Sequence, residues 1–197
     1  MTASPSAVLC STEGAIIPLL VDRWKAVPTA EELVVLDRAI GPVLDVGCGP
    51  GRHVAALATR GLVALGIDVS AEATALARRL GSTVLRRSVF DRLPNEGRWR
   101  TALLFDGNIG IGGDAVALLS RLRDVVSNGG SVLVELEAPG APTRVDNVRV
   151  ERGAAVGPWF SWAHVGIEGL EDHAIQAGLR VAERWDDGGR PFARLSR

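Results

Sequence analysis

The sequence predicts an α/β fold, a doubly wound and mostly parallel sheet that ends in an antiparallel β-hairpin and is preceded by N-terminal helices. Three observations predict it. The chain has 197 residues, enough for one well-buried domain and short of what two usually need. From Pro42 onward short apolar segments alternate with amphipathic ones, the sequence form of a parallel sheet covered on both faces. The chain then closes on a helix, a strand, a turn and a last strand.

The elements follow in order. Residues 13–26 carry Ile16, Leu19, Leu20 and Trp24 at helical spacing, with Pro18 weakening the first turn and Pro28 closing the segment. Thr29 and Glu32 form a capping box. Behind them Leu33, Leu36 and Ile40 share one face of a second helix, which Gly41-Pro42 stops. The alternation then gives a strand over 43–46, a helix over 52–60, a strand over 62–67, a helix over 71–80 and a strand over 83–87. A fourth strand covers 101–105. Asp114 caps a helix whose stripe is Leu118, Leu119, Leu122, Val125 and Val126, ended by Asn128-Gly129, and a fifth strand spans 132–136. Residues 138–163 break the alternation. Ile167, Leu170, Ala174 and Ala177 mark a last helix stopped by Gly178, and strands over 179–185 and 191–195 flank the turn Asp187-Gly188-Gly189.

Composition narrows the function. Hydrophobic residues make up 47% and charged residues 23%, ordinary globular usage that argues against long disordered stretches. Twenty-two basic residues against 23 acidic ones leave a net charge of -1, so no global field exists to hold a nucleic acid, and a small-molecule partner fits better. The two cysteines, Cys10 and Cys48, lie in no pair or cluster with metal-ligand spacing, so no metal is expected. The first residues lack the basic start and apolar core of a signal peptide, and no apolar run is long enough to span a bilayer. A cytoplasmic location without membrane attachment is the expectation.

The sharpest motif is Val43-Leu44-Asp45-Val46-Gly47-Cys48-Gly49-Pro50-Gly51-Arg52-His53, a strand running through a glycine turn into a helix. Glycines there let a ligand approach the backbone, and the helix start beyond presents free N–H groups. Dinucleotide enzymes want glycine at the first, third and sixth positions of such a turn, but the sixth position here is Arg52. With glycines at 47, 49 and 51 and Asp45 two residues ahead, the segment resembles motif I of the class I S-adenosylmethionine-dependent methyltransferases. Two further places match. Gly66-Ile67-Asp68-Val69-Ser70 puts an acid at the end of the second strand, where it can accept hydrogen bonds from both ribose hydroxyls, the plainer reading being a helix cap. Ser88-Val89-Phe90-Asp91 follows the third strand, where the family sets an acid against the adenine amino group beside an apolar residue.

The resemblance implies a Rossmann-like core that binds S-adenosyl-L-methionine through Asp45, Gly47, Cys48, Gly49, Gly51, Asp68, Val69, Phe90, Asp91 and Asp106. The resemblance covers about 42–136 and 166–195; with the rest, one domain is expected, made of an N-terminal helical flap (1–41), a cofactor-binding core (42–137), an insertion that is a candidate substrate lid (138–163), and a last helix with its hairpin (164–197). In the family the loop after strand four faces the transferred methyl group. Here it reads Asp106-Gly107-Asn108-Ile109 through Asp114, without the Pro-Pro-aromatic run of the nucleic-acid amino-methyltransferases. Asp106 or Asn108 there would orient an acceptor or take its proton, with His53 as a third candidate and turn geometry as the plain alternative. His164 and His173 read as structural or solvated. Trp159, Phe160 and Trp162, with Trp24 from the flap, are the expected acceptor wall, a β-ribbon or homodimer contact being the alternative for the cluster. Methyl transfer to an O, N, S or C atom of a small molecule is the implied reaction, and a non-catalytic module binding S-adenosylmethionine or S-adenosylhomocysteine the alternative.

Overall fold

The computed structural model describes residues 7–197. In chain order the elements are β1 (Ala7–Ser11), β2 (Ile16–Pro18), α1 (Val21–Lys25), α2 (Ala30–Leu36), β3 (Val43–Val46), α3 (Arg52–Thr59), β4 (Ala64–Asp68), α4 (Ala71–Arg79), β5 (Val84–Arg86), β6 (Trp99–Leu104), α5 (Ala115–Val125), β7 (Val126–Glu135), β8 (Arg144–Arg152), β9 (Ala155–Val156), β10 (Phe160–His164), α6 (Leu170–Gln176), β11 (Arg180–Asp187) and β12 (Arg190–Ser196). A 3-10 loop, Asn108–Gly113, joins β6 to α5. Among the described residues no helix is long and apolar enough to cross a membrane.

Seven strands form the main sheet in the order β11-β12-β7-β6-β3-β4-β5. Its members from β7 to β5 pair in parallel, and β12 runs antiparallel between β7 and β11. Alternate side chains enter two cores. Leu103, Phe105 and Leu133 pack with Leu36, Leu57 and Phe192 under α2 and α3. Ala102, Leu104, Val132 and Val134 pack with Leu118, Leu119, Leu122, Leu170 and Ala174 of α5 and α6. Two covered faces explain why these strands are apolar at consecutive positions. The connections run from β3 outward to β5 on one side and from β6 outward to β7 on the other. The sheet therefore changes direction between β3 and β6, the place where open α/β sheets bind ligands outside the strand carboxyl ends.

The N-terminal segment departs from the expectation. Residues 13–26 do not form one helix; β1 and β2 make an antiparallel pair, and only the five residues of α1 are helical. The spacing of Ile16, Leu19, Leu20 and Trp24 fits a helix, but Pro18 and the β-branched pair Ile16-Ile17 favour an extended edge, and β1 gains a partner in β8. α2 begins with the capping box, the Thr29 hydroxyl accepting from the Glu32 amide at 3.4 Å and the Glu32 carboxylate from the Thr29 amide at 3.0 Å. It stops at Leu36, short of Ile40. The Ile40 N–H donates to the Thr101 hydroxyl, which in turn donates to the Ile40 carbonyl, so β6 takes the backbone that another helical turn would need. Ile40 is exposed, and Val35 and Leu36 are the buried pair. β7 begins directly after α5, and Asn128-Gly129 lie within it beside a register shift opposite Trp99 rather than closing the helix.

Residues 138–163 are mostly strand. β8 and β10 pair with each other and β8 with β1, giving an accessory sheet in the order β10-β8-β1-β2 with β9 beside β8. Flap and insertion are thus halves of one sheet. β10 runs along the 3-10 loop so closely that a Cβ at Gly110 would overlap the Ala163 carbonyl and the Trp162 indole nitrogen, and one at Gly113 would overlap Ser161. Two glycines of that loop are there for close approach.

Candidate active site

The turn after β3 is held from two sides. The Gly47 and Cys48 amides donate to the Ile67 carbonyl at 2.9 and 3.1 Å. The Asn108 side-chain amide donates to the Val46 and Gly47 carbonyls at 2.9 and 3.1 Å, joining the turn to the 3-10 loop across the point where the sheet reverses. Asp68, at the end of β4, accepts from the Gly49 amide at 2.8 Å with one oxygen and from the Ser70 amide at 2.8 Å with the other. It is not the cap of α4. That role falls to Ser70, whose hydroxyl accepts from Ala73. Each carboxylate oxygen keeps a lone-pair direction for a further donor.

Gly49 has φ +53, and nothing lies within 4 Å of where its Cβ would stand. The space beyond the Gly49 Cα is open. Val69, Ser88 and Asp91 line a pocket of about 240 Å³ with Arg86 and Arg87. The Phe90 ring lies against Gly112, and the Asp91 carboxylate accepts from the Ser88 amide at 3.2 Å. Gly51 adopts a left-handed conformation at the start of α3, and burial pushes the Cys48 thiol up.

Beneath the turn lies a buried charge network. Glu32 is fully buried and receives Arg52 at 2.7 Å, Arg190 at 2.7 Å and Arg23 at 2.9 Å. Burial alone would raise its carboxyl, but the bonds from Arg23, Arg190 and the Thr29 amide, with the Arg52 charge, hold it down at about 2. Arg52 also reaches Asp106 at 2.7 Å, and Arg190 grips both oxygens of Glu135 at 2.7 and 2.8 Å. Glu135 in turn accepts the Asp106 amide at 2.7 Å. Asp106 sits in the left-handed region at φ +54, a conformation its surroundings must enforce, as the bonds from its amide to Glu135 and from Arg52 to its carboxylate do.

Asp45 and His53 are almost wholly buried, and among the described residues neither Asp45 Oδ2 nor His53 Nε2 has a hydrogen-bond partner. Burial, then the Asp106 charge, pushes the Asp45 carboxyl up to about 7, against the pull of Arg52. Burial and the Arg52 charge push the His53 imidazole down to about 4, and its ring stands edge-on to Phe105 at 5.3 Å.

The candidate wall is spread out. Trp162 is half-buried and edge-on to Phe160 at 6.1 Å, whereas Trp159 is 43% exposed beneath the Arg149 guanidinium. Trp24 is half-buried on α1. The site thus joins Asp45, Gly47, Gly49, Asp68, Asp106 and Asn108 around one turn and leaves Trp159 outside. Glu32, Glu135 and Arg190 escape sequence reading because they come from distant elements. The capping box is the only local signal, and it explains Glu32 by its helix alone.

Residues 43–130 match the family model described as a methyltransferase domain. No curated protein matches the sequence significantly. An S-adenosylmethionine-dependent methyltransferase from Bacteroides fragilis, solved with S-adenosyl-L-homocysteine, is similar with a TM-score of 0.83 at 20% identity, over 98% of this chain and 88% of that one. A sugar N-methyltransferase from Streptoalloteichus is similar at 0.62 and 17% identity, over 85% and 87%. A Burkholderia thailandensis 1,6-didemethyltoxoflavin-N1-methyltransferase follows at 0.57 and 20%, over 79% and 71%. Residues 43–130 thus match a methyltransferase-domain model, and the fold is that of solved S-adenosylmethionine-dependent methyltransferases. The residues present fit S-adenosylmethionine, with an open face at Gly49 and an acid beside it at Asp68.

Proposed function

We propose that this protein transfers the methyl group of S-adenosylmethionine to a nucleophilic atom of a small molecule, with residues 138–163 and β1 forming the cover over the acceptor. The observation that carries this reading is the bond from the Gly49 amide to Asp68 beside the empty space over Gly49. It pairs a ribose-binding acid with a turn shaped for close approach. Asp68 and Gly47 to Gly51 hold the nucleoside and methionyl parts, with Val69 and Asp91 about the adenine.

The acceptor lies outside the carboxyl ends of β6 and β7, against the 3-10 loop and Trp162. Asn108 has committed its amide N–H groups to the turn, so its oxygen is the atom left to hold an acceptor proton. Asp106, with one oxygen held by Arg52 at 2.7 Å, orients the loop. Alignment of acceptor and methyl in a site shielded from water supplies most of the rate. Two similar structures bear names of N-methyltransferases, one for sugars and one for a toxoflavin precursor, which favours a nitrogen acceptor. A screen of amines, hydroxyls, thiols and carbon nucleophiles for release of S-adenosylhomocysteine tests the reading. Turnover is expected among small amines. Cofactor binding with no turnover in any class would make the chain a binding module.

A further inference from the structure

Beside the loop that faces the acceptor lies a second cluster that no part of the cofactor site uses. His164, the last residue of β10, is only 8% exposed, and its Nδ1 lies 2.7 Å from a carboxylate oxygen of Glu137. Its Nε2 is buried without a hydrogen-bond partner among the described residues, with Asp146 Oδ2 at 3.3 Å. Asp146 is itself bonded to Arg144 at 3.1 Å. Among the described residues the charged groups in contact with the ring are Glu137 from beyond β7 and Asp146 from β8, the latter paired with Arg144. The 3-10 loop along the edge of β10 brings none. Alternation puts His164 on the face of β10 that carries Trp162 and Phe160, since Ala163 and Val165 point into the core of α5 and α6. Glu137 follows Glu135 by two residues, so the pair adjoins the network that positions Asp106.

We propose that His164, held by Glu137, takes the proton that an amine acceptor must lose, and that Asp146 draws the ammonium toward it. This rests on the methyl-transfer reading above. The carboxylate on Nδ1 fixes the tautomer and leaves the Nε2 lone pair for the acceptor. A buried ring nitrogen without a partner is a rarity that calls for a role. An ammonium has no lone pair. It gives one proton to Nε2, and the freed nitrogen pair forms the bond to the methyl carbon while the carbon–sulfur pair stays on sulfur. His164 then releases its proton to solvent past Glu137, which is about one-third exposed.

The test uses the full chain with S-adenosylmethionine, glucosamine and benzylamine as probe acceptors, and the variants H164Q and H164N, the second keeping a donor toward Glu137. Both variants should bind S-adenosylhomocysteine within twofold of wild type, lose about 10² to 10³ in kcat/KM, and lose the rising limb of its pH profile. E137Q should fall less. Turnover within threefold of wild type in folded H164N overturns the proposal. Nitrogen-15 spectra of the histidine rings with S-adenosylhomocysteine bound decide it even if neither probe is methylated. A neutral ring with its proton on Nδ1 at pH 8 is expected, and a doubly protonated ring or a proton on Nε2 overturns it. Failure to bind S-adenosylhomocysteine at all would instead sink the methyl-transfer reading.

Discussion

Asp68 does two jobs with one carboxylate, bracing the glycine turn through Gly49 and the start of α4 through Ser70. Asp68→Ala should therefore weaken S-adenosylhomocysteine binding by about 1.5 to 3 kcal/mol, the loss usual for hydrogen bonds to a charged group. Calorimetric titration of the folded variant checks this, and an unchanged affinity would remove Asp68 from the site. Asp45 gives a prediction of a different kind. Its folded carboxyl sits at about 7, well above its ordinary range near 4. Below pH 4 both folded and unfolded chains hold the proton; between about 4 and 7 only the folded chain does, so this group's contribution to stability falls over that window and levels above it. Asp45→Asn should flatten that fall, which Tm measured from pH 4 to 8 would show.

At the scale of elements, the glycines of the 3-10 loop are a docking strip for β10. Gly110→Ala should cost about 1 to 3 kcal/mol by forcing the strand off the loop, and should speed hydrogen exchange through β8 and β10. Protection there equal to wild type would mean the strip yields without cost. The core elements from β3 to α5 were readable because their cause is local, in caps such as Ser70 and Asp114 and in apolar periodicity. β1 and β2 were not, because the pairing that makes β1 a strand lies more than 130 residues away, Ser11 opposite Val148 and Ala7 opposite Arg152. The same division runs through the site. Asp45, Gly49 and Asp68 sit in contiguous motifs, while Glu32 meets Arg190 and Glu137 meets His164 only once the chain has folded.

For the whole molecule, Glu32 is the common acceptor of α1, α3 and β12 through Arg23, Arg52 and Arg190. Removing one partner of a buried pair leaves the other charges uncompensated, so Glu32→Gln should destabilise the chain by about 3 to 5 kcal/mol in urea. Its pH signature opposes that of Asp45. With the folded carboxyl held at about 2, the stability it contributes is complete above its unfolded value near 4 and is lost as pH falls toward 2. Loss of less than 1 kcal/mol would show that the arginines find other acceptors.

The accessory sheet also orders events in time. β1 leaves the ribosome first among the described strands, yet its long partner β8 is complete only when Arg152 has been added. The strands β3 to β7, with their helices, need nothing beyond Glu135 to form their parallel ladder. Closing a loop of such length is entropically costly and slow. The parallel sheet is therefore set to assemble while the accessory sheet is still two unjoined pieces.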